Sequence, residues 1–165
     1  GDVDQITEED YATVMGTNLD GAFWMIREAV PVMKQQQQGM IVNISSLAGY
    51  VGLPRWSLYH ASKFGLRGLT ESLRLELKPY GIHVMGVYPG PVRTGFFTHA
   101  VVKGGRSLQA RGGMYLDPKV MARRIVRGME KRKRDVFGTP LWWLTAALSS
   151  RYPALVDRVI LRWKG

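Results

Sequence analysis

The chain has 165 residues, 45% of them hydrophobic, with a mean hydropathy of -0.12 and a formal net charge of +10, which fits one domain's worth of globular sequence. Zero cysteines exclude disulfides and thiolate metal sites. The three histidines, His60, His83 and His99, lack metal-ligand spacing, so no metal site is expected.

In chain order, the first notable segment is Thr17-Asn18-Leu19-Asp20-Gly21-Ala22-Phe23, in a helical stretch. Its Gly16–Gly21 spacing imitates a phosphate loop, but Ala22-Phe23 follows where lysine and a hydroxyl residue would be needed. Asn18, a poor helix former, is expected in mid-helix, where it could cap a kink. Gln35-Gln36-Gln37-Gln38 reads as a solvated turn, and Gly39 to Ser46 as a short apolar strand buried on both faces of a parallel sheet. Ser46 then stands at the strand's carboxyl end, with Ser45 as its competitor.

Leu58, Ala61, Gly65, Leu69, Leu73 and Leu77 recur every three or four residues, predicting a helix capped by Ser57 and ending before Pro79. Tyr59 and Lys63 lie one turn apart on one face of it. His60 is expected on the helix surface. A second Tyr-x-x-x-Lys, Tyr115 to Lys119, is a decoy, because Pro118 cannot sit inside a helix and disfavours helical geometry at Asp117. Ile82 to Tyr88 is the next strand, broken by Pro89-Gly90-Pro91. Strand, helix and strand form a βαβ unit. Ligands of such sheets gather at the strands' carboxyl ends, where Ser46 and the loop Pro89 to Thr94 both fall.

These groups suit work on a carbonyl or an alcohol. A free phenol titrates near ~10 and needs help to exchange protons at neutral pH. An ammonium about 4 Å away, at an effective dielectric of about 20, contributes roughly 4 kcal/mol, enough to lower that pKa by up to about 3 before desolvation opposes it. A serine hydroxyl can hydrogen-bond the reacting oxygen as charge develops. No side chain supplies hydride, so an organic cofactor must.

Taken together, the Thr17–Phe23 segment, Ile41-Val42-Asn43-Ile44-Ser45-Ser46, Tyr59 with Lys63, and Pro89-Gly90-Pro91-Val92-Arg93-Thr94 resemble the short-chain dehydrogenase/reductase family, in its order and spacing and over nearly the whole chain. The resemblance implies an α/β fold, the carboxyl-terminal half of a Rossmann-type, doubly wound parallel sheet. It also implies an NAD(P)-dependent oxidoreductase interconverting an alcohol and a carbonyl, with NAD or NADP as cofactor. By the same resemblance Tyr59 is the general acid/base, Lys63 its partner, Ser46 the polariser of the substrate oxygen and Asn18 the fourth catalytic residue. Tyr59, Lys63, Pro89, Gly90, Val92 and Thr94 would hold the cofactor, with Lys63 on the nicotinamide ribose and the backbone near Val92, with Thr94, on the carboxamide. Ser46, Phe96 and Phe97 would meet the substrate.

The family's glycine-rich phosphate loop should precede all of this and is not in the sequence. The chain is therefore expected to be the carboxyl-terminal portion of an enzyme, inactive alone and carrying an exposed apolar strand edge that favours aggregation. Residues 1–139 are assigned to the partial catalytic domain, with a mobile substrate loop over about 95–114, and 140–165 to an apolar, basic tail. The full-length protein is expected to be a homo-oligomer through the helices carrying Asn18 and Tyr59.

Charge divides the chain unevenly. Residues 1–102 hold eight basic and nine acidic side chains, net −1, and residues 103–165 hold fifteen and four, net +11, which together give the +10. The basic excess lies on a helix predicted over Pro118 to Lys133 and resumes at Arg151, Arg158, Arg162 and Lys164, after a third strand at Asp135-Val136-Phe137. Trp142, Trp143 and Leu144 beside that charge suit an amphipathic tail at an anionic membrane surface. They equally suit packing over the substrate pocket or another subunit, with the arginines as a solvated face. The apolar runs are too short to span a bilayer. A nucleic-acid partner is not expected, because no recognition fold accompanies the charge. The expected location is the cytoplasm or the face of a membrane. The substrate is expected to be a small alcohol or carbonyl compound, weakly favoured as lipid-like, steroid-like or retinoid-like. A noncatalytic remnant that binds a membrane or a partner through the basic tail is the competing reading.

Overall fold

The structure is a computed structural model that describes residues 1–96 and 115–163. Helix α1 (Glu8–Met15) opens at a capping box in which the Thr7 hydroxyl accepts from the Asp10 amide and the Asp10 carboxylate accepts from the Thr7 amide. It runs through a π-helical turn, Gly16–Asp20, into α2 (Gly21–Gln36). Strand β1 (Gly39–Ile44), helix α3 (Ser57–Glu76) and strand β2 (Ile82–Tyr88) follow, then α4 (Pro118–Glu130), β3 (Asp135–Phe137), α5 (Pro140–Arg151) and α6 (Pro153–Trp163). The three strands are parallel in the order β1-β2-β3, with Gly39 opposite Ile82 and Gly86 opposite Asp135.

The sheet is covered on both faces, as the apolar runs require. On one face Ile82 and Val84 of β2 join Ile41 with Ile26 of α2 and Leu73 and Leu77 of α3. On the other, Met85 and Val87 pack with Val136 and with Met121 of α4. Strand β2 is central because it pairs with both β1 and β3, and its successive side chains alternate between these layers. Strands β2 and β3 stand where the sequence placed them, while β1 ends at Ile44, two residues before the expected Ser46, and Ile44 is exposed because β1 lies at the sheet's edge.

Helix α3 sets the site, and its buried face differs from the apolar repeat. His60, Ser62, Leu66, Thr70 and Leu73 are buried, followed by Leu77, while Ala61 is exposed. Buried polar groups need partners, and they have them. Asn43 of β1 donates to the Thr70 hydroxyl at 3.0 Å, and Thr70 donates to the Leu66 carbonyl at 2.6 Å. Arg74 ties the helix to the sheet through the Val84 carbonyl (3.1 Å) and the Asp135 carboxylate (2.8 Å). These bonds fix how α3 lies on the sheet.

Several boundaries move. Trp56 occupies the cap of α3 and Ser57 is its first helical residue, with no side-chain cap. The glutamine run is mostly helix, since α2 extends to Gln36 and closes at Gln37 in the left-handed region (φ 52°). Asp117 is extended (ψ 131°) and caps α4 by accepting from the Lys119 amide at 2.6 Å, so Tyr115 and Lys119 do not share a helical face. Helix α4 ends at Glu130, short of the predicted Lys133.

Candidate active site

The first site residue stands where β1 ends. Ser46 is extended (φ −165°, ψ 163°) and caps the single helical turn Leu47–Gly49, its hydroxyl accepting from the Ala48 amide at 3.1 Å and donating to the Pro89 carbonyl at 3.3 Å. The same hydroxyl is the polar neighbour that lowers the Tyr59 pKa against the rise that burial causes. Ser45 points the other way: it is buried, and its hydroxyl donates to the Lys63 carbonyl at 3.0 Å. Of the two serines, Ser46 meets the phenol and Ser45 braces α3.

From α3, Tyr59 and Lys63 project to the same side. The Lys63 ammonium lies 5.8 Å from the centre of the Tyr59 ring and donates to the Ile44 carbonyl at 3.3 Å. The electrostatics depart from the expectation for the phenol. Burial raises the Tyr59 pKa above its ordinary value, and the hydrogen bond with Ser46 partly offsets that rise. Burial lowers the Lys63 pKa. Desolvation disfavours the charged form of both groups, and Lys63 is not what moves Tyr59 here. At neutral pH the phenol therefore keeps its proton, the form in which it can donate one.

Asn18 lies in the π-helical turn, not in regular α-helix; such turns are common at functional positions. Its amide donates to the Ser62 hydroxyl at 3.1 Å, and Ser62 donates to the Tyr59 carbonyl at 2.7 Å. The turn can come this close because Gly65 has no side chain: a Cβ there would stand 2.9 Å from Leu19. Ser62 was not among the sequence candidates, although its position three residues after Tyr59 puts it one turn along the same helix. Asn18 and Lys63 border one groove of about 430 Å³, floored by the outer edge of β1 and walled by α2 at Ala22, Met25 and Ala29.

The second strand end contributes the loop Pro89 to Thr94. It is fastened by Leu116, whose amide donates to the Pro91 carbonyl at 2.9 Å and whose carbonyl accepts from the Arg93 amide at 3.0 Å. Val92 forms the bridge to Leu116, and the Thr94 hydroxyl accepts from the Phe96 amide at 3.3 Å. Beneath lies Trp142 of α5, buried, and a Cβ on Gly90 would meet its ring at 2.5 Å. Trp142 thus supports the loop from the core side, while Trp143 beside it is 57% exposed. Phe96 and Trp56 stand with ring centres 5.6 and 5.5 Å from Tyr59, giving the phenol two aromatic walls. Phe97 and the rest of the expected substrate loop, to residue 114, lie outside the described residues.

His60 is a correction. It is buried, and its Nδ1 lies 2.9 Å from the Ala48 carbonyl, where it ties α3 to the turn after Ser46. Among the described residues no group of three His, Cys, Asp or Glu is placed to hold a metal, and no helix is long and apolar enough to cross a membrane.

The family model described as short chain dehydrogenase matches residues 1–103. A 3-ketodihydrosphingosine reductase from Bacteroides thetaiotaomicron is 34% identical over 135 residues, covering 82% of this chain and 48% of that protein. A 3-alpha-(or 20-beta)-hydroxysteroid dehydrogenase from Mycobacterium bovis is 45% identical over 93 residues, covering 53% of this chain and 36% of that protein. Among solved structures, a short chain dehydrogenase/reductase from Burkholderia phymatum in complex with NAD superposes with a TM-score of 0.80 at 25% identity, covering 94% of this chain and 62% of that one. The chain spans less than half the length of these two curated relatives.

Proposed function

Because the chain belongs to the short-chain dehydrogenase/reductase family, we propose that it supplies the proton-transfer centre of an NAD(P)-dependent enzyme interconverting an alcohol and a carbonyl. The observation that carries this is a half-buried phenol whose pKa is held down by a serine hydroxyl just past the end of a parallel strand, with an ammonium on the same side.

In reduction, a carbonyl oxygen placed between Ser46 and Tyr59 receives a hydrogen bond from Ser46 and the proton of Tyr59. In oxidation Tyr59 takes the alcohol's proton. When bound, the nicotinamide donates or accepts the hydride. The residues fit such a group. Lys63 is a cationic donor in a groove shared with Asn18 and Thr17, suited to ribose hydroxyls, and the backbone of Pro89 to Thr94 is held firm by Leu116 and Trp142 on the neighbouring strand end. Gly90 permits that close approach. Asn18 acts through Ser62, which holds the Tyr59 carbonyl and so the start of α3.

Aromatic walls at Phe96 and Trp56 favour a substrate with an apolar body, and relatives named for a ketosphingoid base and for hydroxysteroids support a lipid-like ketone or alcohol. Exposed Phe23, Trp24 and Phe64 on α2 and α3 support homo-oligomerisation through those helices. The enzyme reading accounts for the polar contacts joining Asn18, Ser62, Tyr59 and Ser46, which a noncatalytic remnant does not require.

The test is turnover of a carbonyl substrate by the full-length protein with NADH and with NADPH. Tyr59→Phe is expected to lower kcat by about a thousandfold with cofactor affinity little changed. Unchanged turnover excludes Tyr59 as the proton donor.

A further inference from the structure

Helix α5 breaks the usual inside-outside pattern. Its buried face is Trp142, Ala146 and Ser149, which pack toward β3 and the site loop. Its opposite face is apolar as well: Leu141, Leu144 and Leu148, spaced by three and four residues, are 54%, 45% and 38% exposed. On α6, which packs against α5, Leu155 and Val159 are one turn apart and 55% and 61% exposed. Among the described residues this is a continuous apolar surface of a kind that a soluble monomer rarely leaves to water.

The charges around this surface say what covers it. Residues 140–163 carry Arg151, Arg158 and Arg162 against a single acid, Asp157. Trp143 also shares a groove of about 370 Å³ with Lys133 and Arg134 of the turn before β3 and with Asp135, which pairs with Arg134 at 3.2 Å and leaves Lys133 as the groove's cation in excess. A second copy of the chain is a poor occupant, because a two-fold contact sets the same patch against itself and brings like charges together. An anionic partner with an apolar interior satisfies both features. Leucines and a valine between arginines, with Trp143 and Tyr152 at the flank, are the composition of a helix pair lying in the plane of a lipid interface.

We propose that α5 and α6 form a docking surface for an anionic membrane, with Leu144, Leu148, Leu155 and Val159 entering the acyl boundary and Arg158, Arg162 and Lys133 facing the headgroups. This surface lies on elements other than those carrying Ser46, Tyr59 and Lys63, and the inference holds whatever the site's substrate.

The test is sedimentation of the full-length protein with phosphatidylcholine vesicles, with and without phosphatidylserine. Recovery is expected with the phosphatidylserine vesicles at low salt and should fall as salt rises. Arg158→Gln and Arg162→Gln should each weaken binding about fivefold. Leu144→Asp should abolish it while the melting temperature and carbonyl turnover stay as in the parent, which separates lost docking from lost folding. Equal recovery on phosphatidylcholine alone, or no recovery on either vesicle, overturns the proposal and leaves an acidic protein surface as the partner of the patch.

Discussion

The two ends of the site layer depart from ordinary burial in opposite directions. Around β1 and α3, side chains that prefer water are withdrawn from it: Asn43, Ser45, His60, Ser62 and Thr70 are buried, and burial moves both Tyr59 and Lys63 toward their neutral forms. Along α5 and α6, side chains that avoid water are left in it. Each departure costs stability, and neither is needed to build a parallel sheet. Buried polar groups with convergent partners make a place where a proton can be held and passed; exposed leucines among arginines make a place where something else is meant to lie. Trp142 and Trp143 show the boundary within one helix, the first under the Gly90 loop and the second facing out.

Crowding Trp142 gives the larger of two stability effects that probe this contrast. Gly90→Ala places a methyl group 2.5 Å from its ring carbons and should destabilise the full-length protein by about 2 kcal/mol through overpacking. Combining it with Trp142→Leu should recover part of that loss in a double-mutant cycle of denaturant midpoints. Additive effects would mean that the loop and α5 are not in contact.

Lys63→Met should act with the opposite sign and be smaller, raising stability without cofactor by about 1 kcal/mol as a half-buried, partly desolvated cation is removed. The sign follows from linkage. The folded-state pKa of Lys63 lies below its ordinary value, so between those two values the unfolded chain holds the extra proton and the parent gains stability as pH rises. Lys63→Met should lose that alkaline gain along with its activity. A parent whose stability is flat across this window, measured by thermal melts, would show that Lys63 is solvated.

Much of this arrangement was legible in the sequence. The strands were, because fully buried strands are short apolar runs bounded by glycine and proline, and Tyr59 with Lys63 was, because four residues make a helical turn. The buried face of α3 was not. Hydrophobic periodicity assumes that buried positions are apolar, and here His60, Ser62 and Thr70 are buried by virtue of specific partners at the Ala48 carbonyl, Asn18 and Asn43. The electrostatic expectation failed for a related reason: spacing gives the proximity of an ammonium to a phenol, while desolvation depends on what else surrounds them. Trp142 and Trp143 are identical residues in sequence, and only the fold assigns one to the loop and the other to the surface.

The contact between Ser46 and Tyr59 is the centre of the account, and the pH dependence of alcohol oxidation by the full-length protein tests it most directly. Oxidation needs Tyr59 as an acceptor, so its rate should climb with pH toward a plateau set by the phenol. The Ser46 hydroxyl opposes the upward push of burial on Tyr59. In Ser46→Ala the midpoint of that climb should therefore move to higher pH, together with a loss in kcat of about a hundredfold. A midpoint that stays in place, or moves to lower pH, would contradict the claim that these two hydroxyls work as one proton-handling pair.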